Sequence, residues 1–313
     1  PGAVKPAVVD PGPDAPQSKQ RSAESGKPLA LPRPKVVLLG MLTKIPVGGV
    51  AWLVGQYATG FERLGYEVYY VEAHARTPSM FMTHEHDDGA GKAAAYIAGI
   101  ADRFGLGDRW AFQALHENGR CYGMSEEQLD RLYGDAALIV NMHGGTLPLP
   151  EHAATERLVF LGTDPVEVEF EVERGDQRAL EFLDQHTSYF TWGLNFGNPD
   201  CELPWASPYG FIPSPPPVVL DFWDNEVVPE GAPFTTIGNW RQRYRNVRHE
   251  GRVYRWSKHQ QFMRILDLPR KAGVPLELAL SSYEDEDHLL LAEHGWRVRP
   301  GYELSRDLDS YRD

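Results

Sequence analysis

The chain is short of cysteine, of long apolar runs and of basic residues, and each shortage excludes a class of protein. Cys121 and Cys201 are its two cysteines, too few and too far apart for a disulfide framework or a thiolate metal site. No apolar run of about eighteen residues occurs, and no signal-peptide core precedes the first strand, so we expect neither a membrane span nor a membrane anchor. The expected compartment is the cytoplasm.

The charge is acidic and unevenly distributed. Thirty-one Lys and Arg residues against 44 Asp and Glu residues give a net charge of -13. Nucleic acids and anionic lipids need a basic face, so we expect no nucleic-acid partner. Residues 35–225 hold 12 basic and 27 acidic residues, whereas residues 226–313 hold 14 of each.

Proline divides the sequence. Residues 1–34 contain eight of the 25 prolines and no aromatic residue, a composition that predicts a disordered tail. Nine more prolines fall between residues 198 and 233, where regular structure is interrupted. We therefore predict two folded domains, residues 35–225 and 226–313.

Each domain has the pattern of alternating strands and helices. A buried strand at 36–40, a helix at 50–64 and a strand at 67–72 predict one right-handed βαβ unit. Further predicted strands are 137–141, 157–161 and 188–192 in the first domain, and 234–238, 276–280 and 295–298 in the second. Helices are predicted at 258–271 and 287–294. The fold class is α/β, with two Rossmann-like doubly wound parallel sheets, the second incomplete.

Ligands of such sheets bind beyond the carboxyl ends of the strands, which selects the site residues. The substrate-binding candidates are Lys44, Gly48, Gly49, Glu72, His74, Gly144 and Gly145. The glycines let a backbone and a helix N-terminus approach a ligand, although they also suit a close turn, and the loop is neither G-x-G-x-x-G nor a Walker loop.

Two residues in these loops are candidates for proton transfer. His143 follows an apolar strand, and an imidazole there suits a base or a hydrogen-bond donor, with a structural role as the alternative. Asp164 suits a general base or a group that orients a hydroxyl, and its alternative is a turn cap before Pro165.

The second domain contributes a basic segment. Residues 241–258 hold seven basic residues and one acidic residue, directly after a predicted strand. We predict a diphosphate site formed by Asn239, Arg241 and Arg243, because guanidinium groups pair phosphate oxygens in a bidentate fashion. The alternative is a solvated face that docks on the acidic first domain. The acidic residues 284–287 are predicted to be a solvated helix start.

The cluster of His and acidic residues at 84–88 does not predict a metal site. The two histidines are two positions apart, and the glycines at 89 and 91 indicate an exposed loop. A serine hydrolase is not expected either, since no G-x-S-x-G elbow is present.

Parts of the sequence resemble a known group of proteins. Residues 37–50 (VLLGMLTKIPVGGV) and 60–72 (GFERLGYEVYYVE) resemble the opening of bacterial glycosyltransferase-like proteins of the GT-B fold, and the resemblance extends through 141–145, 162–165 and 234–240. It implies an acceptor-side first domain, a nucleotide-sugar-side second domain, transfer in the cleft between them and no bound metal or cofactor. It also implies further strands beyond residue 313, as if the second domain were cut.

The resulting functional hypothesis is sugar transfer from a nucleotide-sugar to an acceptor hydroxyl. His143 or Asp164 would assist deprotonation of the acceptor, and basic donor-side groups would stabilise the leaving diphosphate. The alternatives are a nucleotide-sugar epimerase or hydrolase of the same fold, and a non-catalytic ligand-binding module without a complete donor site.

Overall fold

The structure is a computed structural model that describes residues 32–74, 76–117, 119–204, 208–223, 228–242 and 246–312. The predicted tail, apart from its last three residues, and the predicted boundary near residue 225 lie outside the described residues. The described residues from Arg33 to Arg312 belong to one compact unit.

An eight-stranded sheet forms the larger part of this unit. Its strands are β1 (Lys35–Leu39), β2 (Glu67–His74), β3 (Trp110–Ala114), β4 (Cys121–Gly123), β5 (Ala136–Met142), β6 (Leu158–Gly162), β7 (Ser188–Thr191) and β8 (Ile212–Pro213). The spatial order is β4-β3-β2-β1-β5-β6-β7-β8, and all pairs are parallel except β3 with β4. The order reverses at β1, which is hydrogen-bonded to β2 on one side and to β5 on the other.

Helices cover both faces of this sheet. They are α1 (Gly48–Arg63), α2 (Gly89–Arg103), α3 (Glu126–Asp135), α4 (Pro150–Ala153), α5 (Glu167–Glu173) and α6 (Gln177–Leu183). Successive residues of β1 point to opposite faces: Val36 and Leu38 pack with α1 and α2, whereas Val37 and Leu39 pack with α3. All four side chains are fully buried, which confirms the strand buried on both faces.

A separate hairpin accompanies a second, smaller sheet, which has three parallel strands. Its strands are β9 (Phe234–Asn239), β12 (Leu276–Ser281) and β13 (Arg297–Pro300), in the order β13-β12-β9, and the hairpin pairs β10 (Val247–His249) with β11 (Arg252–Tyr254). The helices are α7 (His259–Arg264), α8 (Leu268–Ala272), α9 (Asp285–Glu293), α10 (Gly301–Ser305) and α11 (Leu308–Arg312).

Side-chain contacts between described residues join the parts that contain the larger and the smaller sheet. Trp52 of α1 donates a hydrogen bond from Nε1 to Leu308 O of α11 at 2.8 Å, and Arg103 of α2 forms an ion pair with Asp309. Another contact lies at the hairpin, where Phe170 of α5 packs against the β10–β11 rings. The α/β class is confirmed, and the division into two GT-B domains stays a prediction.

One local prediction was wrong, and two were right in part. The predicted helix 258–271 is two helices, because Pro269 near the start of α8 lacks the N–H that a continuous helix requires. Residues 84–88 lie outside any helix or strand and are mostly exposed, as predicted, but Gly89 and Gly91 belong to α2, where Asp88 accepts a hydrogen bond from Gly91 N at 2.7 Å and caps the helix. Residues 284–286 at the start of α9 are exposed, as predicted, whereas Asp287 is only 6% exposed.

None of the helices in the described ranges is both long enough and apolar enough to cross a membrane.

Candidate functional site

The loops after β1 and β5 diverge at the reversal of strand order, where an open α/β sheet leaves a crevice. Leu39, the last residue of β1, lies beside Val71 of β2 and Asn141 of β5. The site candidates that the sequence places after β1, β2 and β5 therefore lie at the same end of the sheet, where the carboxyl ends of these strands meet.

Glu72 and His74 form the centre of a buried hydrogen-bond network at this edge. Glu72 is fully buried and accepts hydrogen bonds from Thr43 N at 3.0 Å, from Thr43 Oγ1 and from Tyr70 OH at 2.5 Å. His74 is 4% exposed, and its Nε2 lies 3.0 Å from Glu72 Oε2 and 2.9 Å from Thr43 Oγ1. This network fixes the β1 loop to the end of β2.

Burial and the adjacent Glu72 carboxylate raise the pKa of Tyr70 well above its ordinary value, so its hydroxyl stays protonated and continues to donate. The carboxylate oxygens of Glu72 are thus occupied by groups of the protein itself. Substrate contact by Glu72 and His74 stays a prediction. Their hydrogen bonds already give them a structural role, which is to anchor the β1 loop.

Lys44 joins the loops that follow β1 and β5. Its Nζ donates a hydrogen bond to Gly145 O, which ties the β1 loop to the β5 loop. Burial and, secondarily, the positive charge of Arg76 lower the pKa of Lys44 to about 8. A Cβ at position 145 would collide with Met41, so the glycine permits this close approach of the two loops.

Gly48 and Gly49 pack against the C-terminal helix. A Cβ on Gly48 would collide with Asp307 O and with Tyr311 Cβ, and one on Gly49 would press against the Tyr311 ring. Residues 307–311 therefore cover the N-terminus of α1. These contacts explain both glycines without a ligand, and their role in substrate binding stays a prediction.

His143 is held in a left-handed conformation (φ 63°) directly after β5, and Gly144 follows with the same φ. Its Nδ1 hydrogen-bonds the hydroxyl of Thr163, whereas its Nε2 is buried and has no partner among the described residues. Burial lowers the pKa of His143 to about 4, so the ring is neutral at pH 7. A base with so low a pKa is weak, although a neutral ring is able to accept a proton.

Asp164 and Asn239 line one cavity of about 500 Å³. Asp164 follows β6 of the larger sheet, and Asn239 ends β9 of the smaller sheet. Two residues that the sequence places at the carboxyl ends of strands in different parts of the chain are therefore brought together.

The cavity wall carries both signs of charge. The remaining lining residues are Pro165, Val166, Glu167, Val247, Val253, Tyr254, Arg255, Trp256, Lys258 and Gln261. Asp164 and Glu167 supply carboxylates from the side of the larger sheet, whereas Arg255 and Lys258 supply cations from the chain that follows the hairpin. Sequence reasoning missed Glu167, Trp256 and Gln261, since none of them directly follows a predicted strand.

The backbone is strained beside the cavity. Val166 has a φ of 114°, which is costly for a β-branched residue and was not signalled by its residue type. Its N–H donates to Glu169 Oε2 at 2.6 Å, and Glu169 is 2% exposed. Burial raises the pKa of Glu169, with a smaller contribution from the charge of Asp164. The buried glutamate holds the turn that directs residues 164–167 into the cavity.

The hairpin is fixed against α5 by stacked rings. The fully buried Phe170 lies 4.6 Å from the His249 ring and 4.9 Å from the Tyr254 ring, between centroids. Arg174 donates to Arg248 O, and Arg252 pairs with Glu202. Arg252 of the basic segment therefore pairs with an acidic residue of the larger-sheet part, and docking of the whole segment through its charge stays a prediction.

Arg241 is committed to an ion pair within the smaller sheet. Its guanidinium donates to Asp287 from Nε at 2.8 Å and from Nη2 at 2.5 Å, and this pairing holds the pKa of Asp287 at about 2. Phosphate binding by Arg241 stays a prediction, while Arg243 lies outside the described residues.

In the described ranges, no three His, Cys, Asp or Glu side chains converge in a way that would hold a metal ion. This includes the cluster at 84–88, where Asp87 accepts hydrogen bonds from Thr83 and pairs with Lys92.

No family model matches the chain. No curated protein matches it either.

Proposed function

We propose that this protein transfers a sugar from a nucleotide-sugar donor to the hydroxyl of an acceptor, in the cavity between Asp164 and Asn239. The observation that carries the proposal is this cavity, because it lies at the carboxyl ends of strands from two parallel sheets. The resemblance of residues 37–50 and 60–72 to glycosyltransferase-like proteins supports the same function.

In the proposed reaction, Asp164 accepts the proton of the acceptor hydroxyl. The acceptor oxygen forms a bond to the anomeric carbon, while the bond from that carbon to the diphosphate oxygen breaks and its electron pair leaves with the diphosphate. Arg255 and Lys258, which also line the cavity, offset the charge that develops on the leaving group.

We assign the base role to Asp164 and not to His143. Asp164 lines the cavity, whereas His143 is not among its lining residues and its Nδ1 is engaged by Thr163. His143 instead supports the loop that leads from β5.

Calorimetry with UDP, GDP, ADP and their glucose or mannose conjugates tests the binding step. We expect heat with at least one nucleotide-sugar. Asp164→Asn is then expected to bind that compound within about threefold of the wild type and to transfer its sugar about 100-fold more slowly or less. The control is Asp108→Asn, which removes an exposed carboxylate outside the cavity and is expected to leave both unchanged.

Other outcomes identify the alternatives. Release of free nucleotide, or formation of a new nucleotide-sugar, without an acceptor would indicate a hydrolase or an epimerase. Binding without turnover against a broad panel of glycan and small-molecule acceptors would indicate a ligand-binding module. Absence of heat with every nucleotide and nucleotide-sugar would contradict the proposal.

A further inference from the structure

The outermost strands of the two sheets differ in how they are protected from other chains. Natural proteins protect such edges with short strands, charged side chains or proline. The larger sheet ends in β4 and β8, which have three and two residues. At one edge of the smaller sheet, β13 carries the exposed Arg297 and Arg299 and ends at Pro300. None of these three edges offers a long, uncharged strand.

The remaining edge strand, β9, has none of these protections. Its six residues include no charged residue and no proline. Its first four residues are exposed, with Phe234 at 69% and Ile237 at 40%. In the part of the chain that the structure describes, β9 pairs with β12 alone. A strand of this kind is a template on which another strand can pair.

The backbone geometry shows which groups of β9 are available. Phe234 N donates to Pro275 O at 3.0 Å, on the side of β12. The N–H and C=O groups of successive residues in a strand point to opposite sides, so those of Thr235 and Ile237 point away from β12. Within the described ranges, no backbone partner is found for either residue on that side.

The sequence of β9 is complementary to itself when two copies run antiparallel about a two-fold axis at Thr236. Thr235 of each copy then lies opposite Ile237 of the other, and each such pair exchanges both N–H···O bonds. Phe234 lies opposite Gly238 of the other copy, where a Cβ would meet nothing within 4 Å, so the ring has room to cover the glycine. Every cross-strand pair in this register is uncharged, and β-branched and aromatic residues favour such pairs.

We propose that this protein forms a two-fold symmetric dimer in which β9 pairs antiparallel with β9 of a second copy. The pairing joins the two three-stranded sheets into one continuous sheet. It does not depend on the proposed sugar transfer, because it uses an edge and not the cavity at Asp164. One strand pair buries little surface, so we expect a weak dimer, with a dissociation constant on the order of 10 to 100 µM.

Sedimentation equilibrium measures the association directly. The net charge of -13 makes two copies repel each other, so the measurement uses about 0.15 M salt, which screens charges beyond about 8 Å. We expect the mean mass of the wild type to rise from that of a monomer towards twice that value between about 5 and 500 µM. A monomer mass throughout this range would overturn the proposal.

A charge swap at Thr236 tests the pairing itself. In Thr236→Lys the two lysines lie directly opposite each other, so we expect dimerisation to be about three- to tenfold weaker. Thr236→Glu is expected to act in the same way, whereas an equimolar mixture of the two variants is expected to dimerise at least as well as the wild type. Restored dimerisation in the mixture also shows that both variants fold.

Thr77→Lys is the matched control, because it adds the same charge at an exposed position outside the sheets and is expected to keep the wild-type dissociation constant. If Thr236→Lys dimerises as well as Thr77→Lys does, pairing through β9 is wrong.

A disulfide cross-link tests the register and does not depend on the charge variants. Residues at position 236 form a non-hydrogen-bonded pair with Cα atoms about 4.5 Å apart, within the range that a disulfide spans. In a chain whose free Cys121 and Cys201 are replaced by Ser, Thr236→Cys is expected to form a covalent dimer on mild oxidation. Thr235→Cys is the control, since its counterpart lies opposite a different residue, and it is expected to cross-link at least about tenfold more slowly. Equal cross-linking of the two variants would contradict the proposed register.

Discussion

The larger, mostly parallel sheet and the smaller, parallel sheet bury their strands to different degrees. In the larger sheet, β1 is central, and its residues Val36 to Leu39 are fully buried. In the smaller sheet, β9 is an edge strand, with Phe234 69% exposed and Ile237 40% exposed. The difference shows that strand formation and core formation are separate properties of a sequence.

The stability of the two parts should differ accordingly. The larger sheet has helices on both faces, whereas the described core of the smaller sheet is a cluster around Trp240, Leu278, Leu280, Leu291 and Trp296. Since apolar burial supplies most of the stabilising free energy, we expect the larger sheet to resist unfolding longer.

The largest expected effect comes from truncating matched aliphatic residues in the two sheets. Leu38→Ala removes a fully buried side chain from β1 and is expected to lower the free energy of unfolding by about 3 to 4 kcal/mol. Ile237→Ala, in β9, should cost about 1 kcal/mol or less, because its side chain is partly in water already. Urea unfolding followed by tryptophan fluorescence measures both, and equal losses would remove the distinction between the sheets.

A second difference is expected in acid. His143, His152 and His186 lie in the larger-sheet part, and burial lowers the pKa of each to about 4. His186 donates from Nδ1 to Phe182 O and accepts from Asn141 at Nε2, an arrangement that suits the neutral ring.

Between pH 6.5 and 4 the unfolded chain therefore binds protons that the folded protein does not. As far as these histidines are concerned, the folded protein is most stable above pH 6.5. Its free energy of unfolding falls by up to about 3 kcal/mol for each histidine as the pH falls to about 4. His186→Gln should reduce the pH dependence of the free energy of unfolding by about one proton, whereas the exposed His84→Gln should not change it. Urea titrations from pH 4 to pH 7 decide this, and a slope unaffected by His186→Gln would contradict it.

The smaller sheet should respond to acid in a lower range. The Arg241 guanidinium holds the pKa of Asp287 at about 2, below its ordinary 3.8, so this stabilisation is present above about pH 4 and is lost as the pH falls to 2. Because Arg241 is 40% exposed and screened by water, we expect about 1 to 2 kcal/mol from the pair.

Asp287→Asn should then speed hydrogen exchange of the β12 amides by about 5- to 30-fold at neutral pH. Asp309→Asn breaks a pair in which both partners are largely exposed, and less than about 0.5 kcal/mol is expected. Unchanged exchange in Asp287→Asn would show that the pair does not hold the smaller sheet together.

Strands buried on both faces were the most predictable elements. β1, β5, β6 and β12 are continuous apolar runs, and each begins or ends within about two residues of its prediction. The hairpin was not predicted, because β10 and β11 have three residues each within a basic segment and are stabilised by Phe170, 77 or more positions earlier. The start of α2 was misjudged because its two glycines outweighed the cap at Asp88.

The candidate site was predictable at its strand ends only. The rule that ligands lie beyond the carboxyl ends of strands identified Asp164 and Asn239, which do share a cavity. It did not distinguish residues that line a cavity from residues buried in a hydrogen-bond network, such as Glu72 and His74. The reason is that hydrogen bonds between residues 29 to 31 positions apart cannot be read from the sequence. Nor did it place Tyr311 over Gly49, which is a contact between the two ends of the folded unit.

The hydrogen bond from Trp52 to Leu308 also sets the order of events during synthesis. The two residues are 256 positions apart, and ribosomes add roughly 5 to 20 residues per second. The start of α1 consequently remains uncovered for roughly 10 to 50 s after it leaves the ribosome. During that interval Trp52 and the adjacent Gly48–Gly49 backbone are open to chaperones and to premature association with other nascent chains.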